Sequence, residues 1–360
     1  MASSKAADAA GWKCWSLAFL SAALALVLLV FGFIAVMDPF GSRLATGQAA
    51  RPLMDLNQRY MYPQLVRSGA FDSAIFGTST MRLLDPAVLS QGLDVRMANL
   101  AMNAATPWEQ VQMAELFARK TATPKAVIWG IDTTWCDPDA TEPGKRLTPR
   151  PFPPWLYDDA RWNDWPKLIN LTTLEIAGRL LAHRLGYLPE RIRRDGYEVF
   201  TPPEQTYDLA RARSHLFHDF GGVAPDLAPI VPATKVDATE RESWRFPALG
   251  WLDTALAALP GQTKKLIVLP PAHLTALPRE GSAGWQRYAA CKEALRTLAA
   301  RRGAVIADFA HRSMVTQQDS NYWDPLHFRL PIARRVEADL TAIARDAQVS
   351  SDGFVQVSRP

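Results

Sequence analysis

Apolar and polar residues fall into blocks along this chain, and the first block is the longest. Leu17 to Met37 carries no charged residue and reads LAFLSAALALVLLVFGFIAVM, about the roughly 20 residues a helix needs to cross a bilayer. A cleaved signal peptide would show an apolar region of roughly 7 to 15 residues and a small-residue cleavage site, and no such site follows Met37. The run predicts an uncleaved anchor over residues 15–37. Trp12 and Trp15 mark an interface ahead of it, Lys5 and Lys13 precede it and Asp38 follows at once. Residues 1–14 are therefore expected in the cytoplasm and the bulk of the chain outside, although Arg43 and Arg51 thin the charge bias.

Residues 38–68 read as a linker and a leading helix, broken by Gly41, Gly47 and Pro52. Short apolar runs ending in polar turns then predict strands at Phe71–Phe76, Val95–Leu100 and Ala126–Ile131. Between the second and third, Thr106, Pro107 and Glu109 give a helix start, with an N-cap, a proline at the first turn and a glutamate reaching back. That helix should run to Lys120. The alternation predicts a parallel sheet with right-handed crossovers. It stops at residue 134 and resumes at 248, with a helix near Trp251–Leu259, a strand at Leu266–Leu269, a helix over Gly284–Arg302 closed by Gly303, a strand at Ala304–Asp308 and a last helix over Pro331–Gln348. The expected organisation is an α/β domain in two parts, residues 69–133 and 248–348, around a five-stranded parallel sheet. Residues 134–247 form an insertion, and residues 349–360 a tail. The insertion holds one clear amphipathic helix, Leu171–Leu185, after a crowd of aromatic residues: Trp135, Phe152, Trp155, Tyr157, Trp162 and Trp165. They read as a small sub-core, or as a surface for sugar rings, membrane or a partner protein.

Composition narrows the function classes. Hydrophobic residues make up 48% and charged residues 21%, which excludes disordered and multi-span classes, and 40 basic against 36 acidic residues scattered along the chain argue against nucleic acid as a partner. Three cysteines exclude a disulfide framework. Cys136 and Cys291 are able to pair in an oxidising compartment, but spacing alone favours two unrelated buried thiols. His215, His218 and Asp219 have no further partner at ligand spacing, so no metal and no cofactor is expected.

In an open parallel sheet, ligands bind beyond the carboxyl ends of the strands. Ser79 follows the first predicted strand, the loop from Asn99 to Thr106 the second, and Asp132 the third. Late in the chain, Asp324 stands three residues ahead of His327. A serine becomes a nucleophile when an imidazole takes its proton and a carboxylate fixes the imidazole's tautomer. Ser79, His327 and Asp324 have the chemistry for those roles. Individually they also read as a capping serine, a turn aspartate and a partly buried histidine. His273, after the fourth strand, reads either as a substrate contact or as a structural histidine.

Gly77-Thr78-Ser79, the loop Asn99-Leu100-Ala101-Met102-Asn103-Ala104-Ala105-Thr106 and the closing Asp324-x-x-His327 together resemble the blocks of the SGNH, or GDSL-like, hydrolases. The resemblance covers about residues 70–133 and 262–345. It implies a flavodoxin-like three-layer sandwich and a Ser79–His327–Asp324 triad. It also implies an oxyanion site from the Ser79 and Ala104 amides with Asn103; Asp132, His273 and Trp108, on or beside the loops that gather at the strand ends, are the expected substrate contacts. Ala104 stands where the family has glycine, and Asp132 where it has an asparagine whose side chain donates to the oxyanion. With its anchor, the chain is similar to a membrane-bound subgroup that includes the alginate and cellulose O-acetylation proteins and the teichoic acid D-alanylation protein. That similarity implies an acyltransferase or esterase on the outer side of a bacterial inner membrane, a polysaccharide or other glycan acceptor, and a membrane-bound O-acyltransferase as partner. Asp132 keeps open a second expectation, a degenerate binding or assembly subunit of a polysaccharide synthesis or export complex.

Overall fold

The computed structural model describes residues 2–43, 47–160 and 164–360, with side chains from Gly11 onward, so Trp162 and the Lys5 side chain lie outside the described residues. The chain is α/β. It opens with α1 (Ala2–Met37), of which Gly11–Met37 is long and apolar enough to cross a membrane. Two short helices follow, α2 (Gln58–Met61) and α3 (Pro63–Arg67), then β1 (Ser73–Phe76), α4 (Ser79–Arg82), α5 (Pro86–Leu93), β2 (Met97–Asn99), α6 (Pro107–Lys120) and β3 (Ala126–Gly130). Between β3 and β4 (Lys264–Leu269) stand α7 (Leu171–Arg184), α8 (Leu209–Leu216), α9 (Ala238–Ser243) and α10 (Ala248–Ala257). After β4 come α11 (Ala283–Arg302), β5 (Ala304–Asp308), α12 (Leu330–Ala344) and β6 (Gln356–Ser358).

The sheet has six strands in the order β2-β1-β3-β4-β5-β6, not five, and the sixth runs antiparallel on β5. This strand comes from the stretch expected to be a tail. It is three residues long and carries no readable alternation, and the burial of Phe354 against Phe309, ring centres 4.8 Å apart, holds it in place. Alternate strand residues face two layers of helices. Phe76, Val127, Trp129, Ile267 and Ile306 pack with α6, α10 and α11, whereas Ile75, Ile128, Leu266 and Val268 pack with α5 and α12.

Local chemistry explains the element ends. The Thr106 side chain accepts from the Glu109 N–H while the Glu109 carboxylate accepts from the Thr106 N–H, the reciprocal cap that starts α6. Gly303, at φ 63°, closes α11 in the left-handed conformation that glycine adopts without strain. The last helix stops at Ala344, short of Gln348, because Asp346 takes φ 53° and the Ala347 N–H turns back to the Ala342 carbonyl. β1 begins at Ser73 rather than Phe71, since the amides of both Asp72 and Ser73 are drawn to the Arg96 carbonyl.

Cys136 and Cys291 are disulfide-bonded, joining the start of the insertion to α11 across 155 residues of sequence. The expectation of two separate thiols fails because α11 crosses back along the face where the chain leaves β3. Trp135, Phe152, Trp155 and Tyr157, from the start of the insertion, form a sub-core. Trp135 lies edge-on to Trp129 at 5.8 Å, Phe152 stacks on Tyr157 at 4.5 Å, and Trp155 meets Phe40 at 5.8 Å.

Candidate active site

Chain order and strand order part company at β1. From β1 the chain crosses to β2 on one side through α5, then to β3 on the other through α6, so the connections diverge and leave a crevice at the carboxyl ends of β1 and β3. Ser79 opens the helix after β1, and Asp132 caps the turn after β3. Gly77 makes the sharp exit from β1 at φ 144°, a backbone conformation that side-chain-bearing residues rarely adopt. A Cβ on Gly77 would lie 2.5 Å from the Met81 side chain, and one on Gly130 2.2 Å, so both glycines admit Met81 between the two strand ends.

Asp324 and His327 arrive on the loop after β5. The Asp324 Oδ1 accepts from the Leu326 and His327 amides, 2.9 Å each, and its Oδ2 accepts from His327 Nδ1 at 2.6 Å. The other ring nitrogen, Nε2, lies 2.7 Å from Ser79 Oγ, so the serine hydroxyl donates to it. Ser79, His327 and Asp324 thus stand in one hydrogen-bonded line, although 248 residues separate the first two. Burial pushes the Asp324 carboxyl up, but the His327 hydrogen bond and charge, helped by the two amides, outweigh it and hold the group below the usual carboxylate range. An ionised Asp324 fixes the proton on Nδ1 and leaves Nε2 to accept.

The loop after β2 sits beside the serine, because the Met102 N–H donates to the Gly77 carbonyl at 3.0 Å. Ala104 takes the left-handed conformation, φ 51°, at the exposed tip. Neither the Ser79 nor the Ala104 backbone N–H has an acceptor among the described residues. The Asn103 N–H is taken by Gln58 Oε1 at 3.3 Å, whereas its side-chain amide makes no hydrogen bond among the described residues. Asp132 has both oxygens engaged: Oδ1 accepts from the amide and hydroxyl of Thr134, Oδ2 from the Thr78 hydroxyl at 3.1 Å. Burial nonetheless pushes its carboxyl up, against those three donors. Trp108 is half-buried near the start of α6, edge-on to Phe152 at 5.3 Å.

His273 is corrected from a substrate contact to a structural histidine. Its side chain is fully buried, Nε2 facing Asp319 at 3.2 Å and Nδ1 facing the Thr275 hydroxyl at 2.9 Å. The loop after β4 folds under the Asp324–His327 turn, where the His273 amide holds the Pro325 carbonyl.

Four further groups shape the site. The Asn99 amide donates to the carbonyls of Met81 and Leu84, 2.9 Å each, and so ties the end of β2 to the turn that carries Ser79. Arg59 and Glu109 form a wholly buried ion pair, and Arg59 Nη1 also donates to the Asn103 carbonyl at 3.1 Å. Phe200, from the insertion, lies edge-on to the His327 ring at 5.3 Å, with the Arg82 guanidinium 4.7 Å over its own face. Of the four, only Asn99 and Glu109 carried a sequence signal, as the first residue of a loop and as half of a helix cap.

No protein-family model matches the chain, and a search of curated proteins gives no match. The reading of the site therefore rests on its geometry.

Proposed function

We propose that this chain is a serine acyltransferase or esterase of the SGNH type, anchored in a bacterial inner membrane by α1 and acting outside the cytoplasm on the O-acyl groups, most simply acetyl, of a cell-envelope glycan. One observation carries the reading: the unbroken line from Ser79 Oγ through His327 to Asp324 at the mouth of the β1/β3 crevice. His327 Nε2 takes the serine proton as Oγ attacks the acyl carbonyl of an ester or thioester donor. The tetrahedral oxyanion accepts from the Ser79 and Ala104 amides, with the free Asn103 side chain in reach of the same loop tip. His327 then protonates the leaving group, and a sugar hydroxyl or water resolves the acyl-serine by the reverse steps.

Asp132 would repel an oxyanion as a bare carboxylate; burial raises its carboxyl against the donors on Thr78 and Thr134, which favours the neutral form and lessens that repulsion. The disulfide supports the extracytoplasmic reading, because such bonds persist in oxidising compartments. A membrane-bound O-acyltransferase is the partner that this topology suits, handing over the acyl group beside the anchor.

A fluorophosphonate probe tests the proposal. The detergent-solubilised chain should form one covalent adduct, at Ser79, and Ser79→Ala should form none. A folded wild-type chain that stays unmodified sinks the enzyme and leaves the binding-subunit reading, in which the same fold holds a glycan without acylating it.

A further inference from the structure

Residues 11–29 of α1 are exposed on every side, and burial begins at Val30 and is complete at Met37–Phe40. At ~1.5 Å per residue the exposed stretch is about 28 Å long, close to the ~30 Å hydrocarbon core of a bilayer. With α1 as the span, the domain begins where the lipid ends. Whatever wraps the last turns of α1 therefore sits at the membrane surface. Trp165 does so, edge-on to Phe31 at 5.4 Å, and α7 packs alongside.

The helix α7 carries two apolar stripes. Thr173, Ile176, Ala177 and Leu180 are buried in the domain. Leu171, Leu174, Gly178, Leu181 and Leu185 repeat the same helical spacing one step round; Leu174 and Gly178 are half-buried, and Leu171, Leu181 and Leu185 are exposed, at 85%, 37% and 61%. The flanking chain extends this face with Ile169, Tyr187 and Leu188, all exposed. Exposed cations border it: Lys167 before the helix, Arg184 at its end, and Arg43 over the Trp165 ring at 5.7 Å. An apolar helix face with basic flanks suits the boundary between acyl chains and anionic headgroups.

We propose that the outer face of α7 is a second membrane contact, lying in the surface of an anionic phospholipid leaflet beside the anchor, with Leu171 and Leu185 in the acyl boundary. It rests on the span proposed for α1, and the test separates the two. Single nitroxide labels are placed at Leu171→Cys, Leu185→Cys, Leu24→Cys within the span and Met314→Cys on the exposed loop after β5. Each is made in the full chain carrying Cys14→Ser and reconstituted in phosphatidylglycerol/phosphatidylethanolamine nanodiscs.

Power saturation should then show label 24 deep in lipid, labels 171 and 185 more accessible to oxygen than to an aqueous nickel chelate, and label 314 the reverse. A lipid-buried label 24 with water-exposed labels 171 and 185 overturns the α7 proposal alone, and is the result a protein partner for that face would give. A water-exposed label 24 overturns the span and the proposal with it. Diazirine-lipid crosslinking of the unsubstituted chain probes the same contact without labels, adducts within 165–188 being expected and their absence counting against it.

Discussion

Two histidines near the crevice face an aspartate each, and their hydrogen bonds fix opposite tautomers. His327 gives its Nδ1 proton to Asp324 and keeps Nε2 for Ser79, whereas His273 accepts the Thr275 N–H at Nδ1, 3.3 Å away, and directs Nε2–H to Asp319. A protonated His273 would lose that acceptor, and burial already pushes its pKa below the ordinary histidine value, more than Asp319 raises it. The consequence for stability has a definite sign. Below about pH 6.5 the unfolded chain binds a proton at this residue that the folded chain refuses, so stability falls as pH falls through that window, by at most about 1.4 kcal/mol per pH unit. Urea midpoints measured from about pH 7.5 down to about pH 5 should therefore drop less in His273→Gln, which keeps an acceptor for Thr275 and a donor for Asp319, than in the native chain. A slope unchanged by the substitution would place the responsible proton elsewhere. The two histidines also mark what the residues alone could disclose. His327 was legible because its aspartate is three positions away in the same turn. The partner of His273 stands 46 residues on, and the sequence does not say which side of the strand end the ring takes.

Among the elements, the strands and their helices could be read from period and caps, but the contacts that aim the loops of the candidate site could not. What holds the Asn103–Ala104 tip is α2, a four-residue helix in the stretch that reads as a linker and a leading helix. Its Arg59 reaches the Asn103 carbonyl and, through Glu109, the cap of α6, while its neighbour Tyr60 packs on Phe40 at the foot of α1, 5.2 Å between ring centres. The insertion seals the other flank: the Asn99 N–H donates to the Asp195 carbonyl at 2.8 Å, and Gly196 lies so close that a Cβ there would stand 1.9 Å from the Asn99 carbonyl. Such pairings join segments tens of residues apart and leave no local periodicity. They separate stability from positioning in a measurable way. Arg59→Met leaves Glu109 charged without a counter-ion in the core and should cost about 3–5 kcal/mol, and Arg59→Met with Glu109→Gln should recover part of it, since the neutral amide removes the buried charge and keeps an oxygen for the Thr106 N–H that starts α6. The double variant should still react with a fluorophosphonate at least about tenfold more slowly, because the Asn103 carbonyl has lost its donor and, on the proposed mechanism, the loop that receives the oxyanion has lost its support. A double variant with the native reaction rate would show the pair to be structural only.

At the scale of the whole molecule, the long apolar helix α1, the disulfide and the crevice all bear on the proposed topology. The flanking charges decide this weakly, since lysines before the span are answered by arginines after it. The disulfide argues more strongly for the proposed outer side. Cys136 and Cys291 bracket a loop whose closure constrains the unfolded chain by about 2–5 kcal/mol, and cytosolic thiol buffers would keep them reduced and forfeit that contribution. The proposed topology therefore predicts unequal thiol chemistry at the two ends of α1. In intact cells a membrane-impermeant maleimide should leave Ser4→Cys, placed in a chain with Cys14→Ser, unlabelled until the membrane is opened. The native Cys136 and Cys291 should stay unlabelled in both conditions and react only after reduction. Cys136→Ser with Cys291→Ser should lower the thermal midpoint by about 4–20 °C, on the order of 2–4 °C for each of those kcal/mol in a domain of this size, without altering the line of Ser79, His327 and Asp324. Labelling of the Ser4→Cys thiol in unopened cells would put the crevice in the cytoplasm, where a glycan of the envelope is out of its reach.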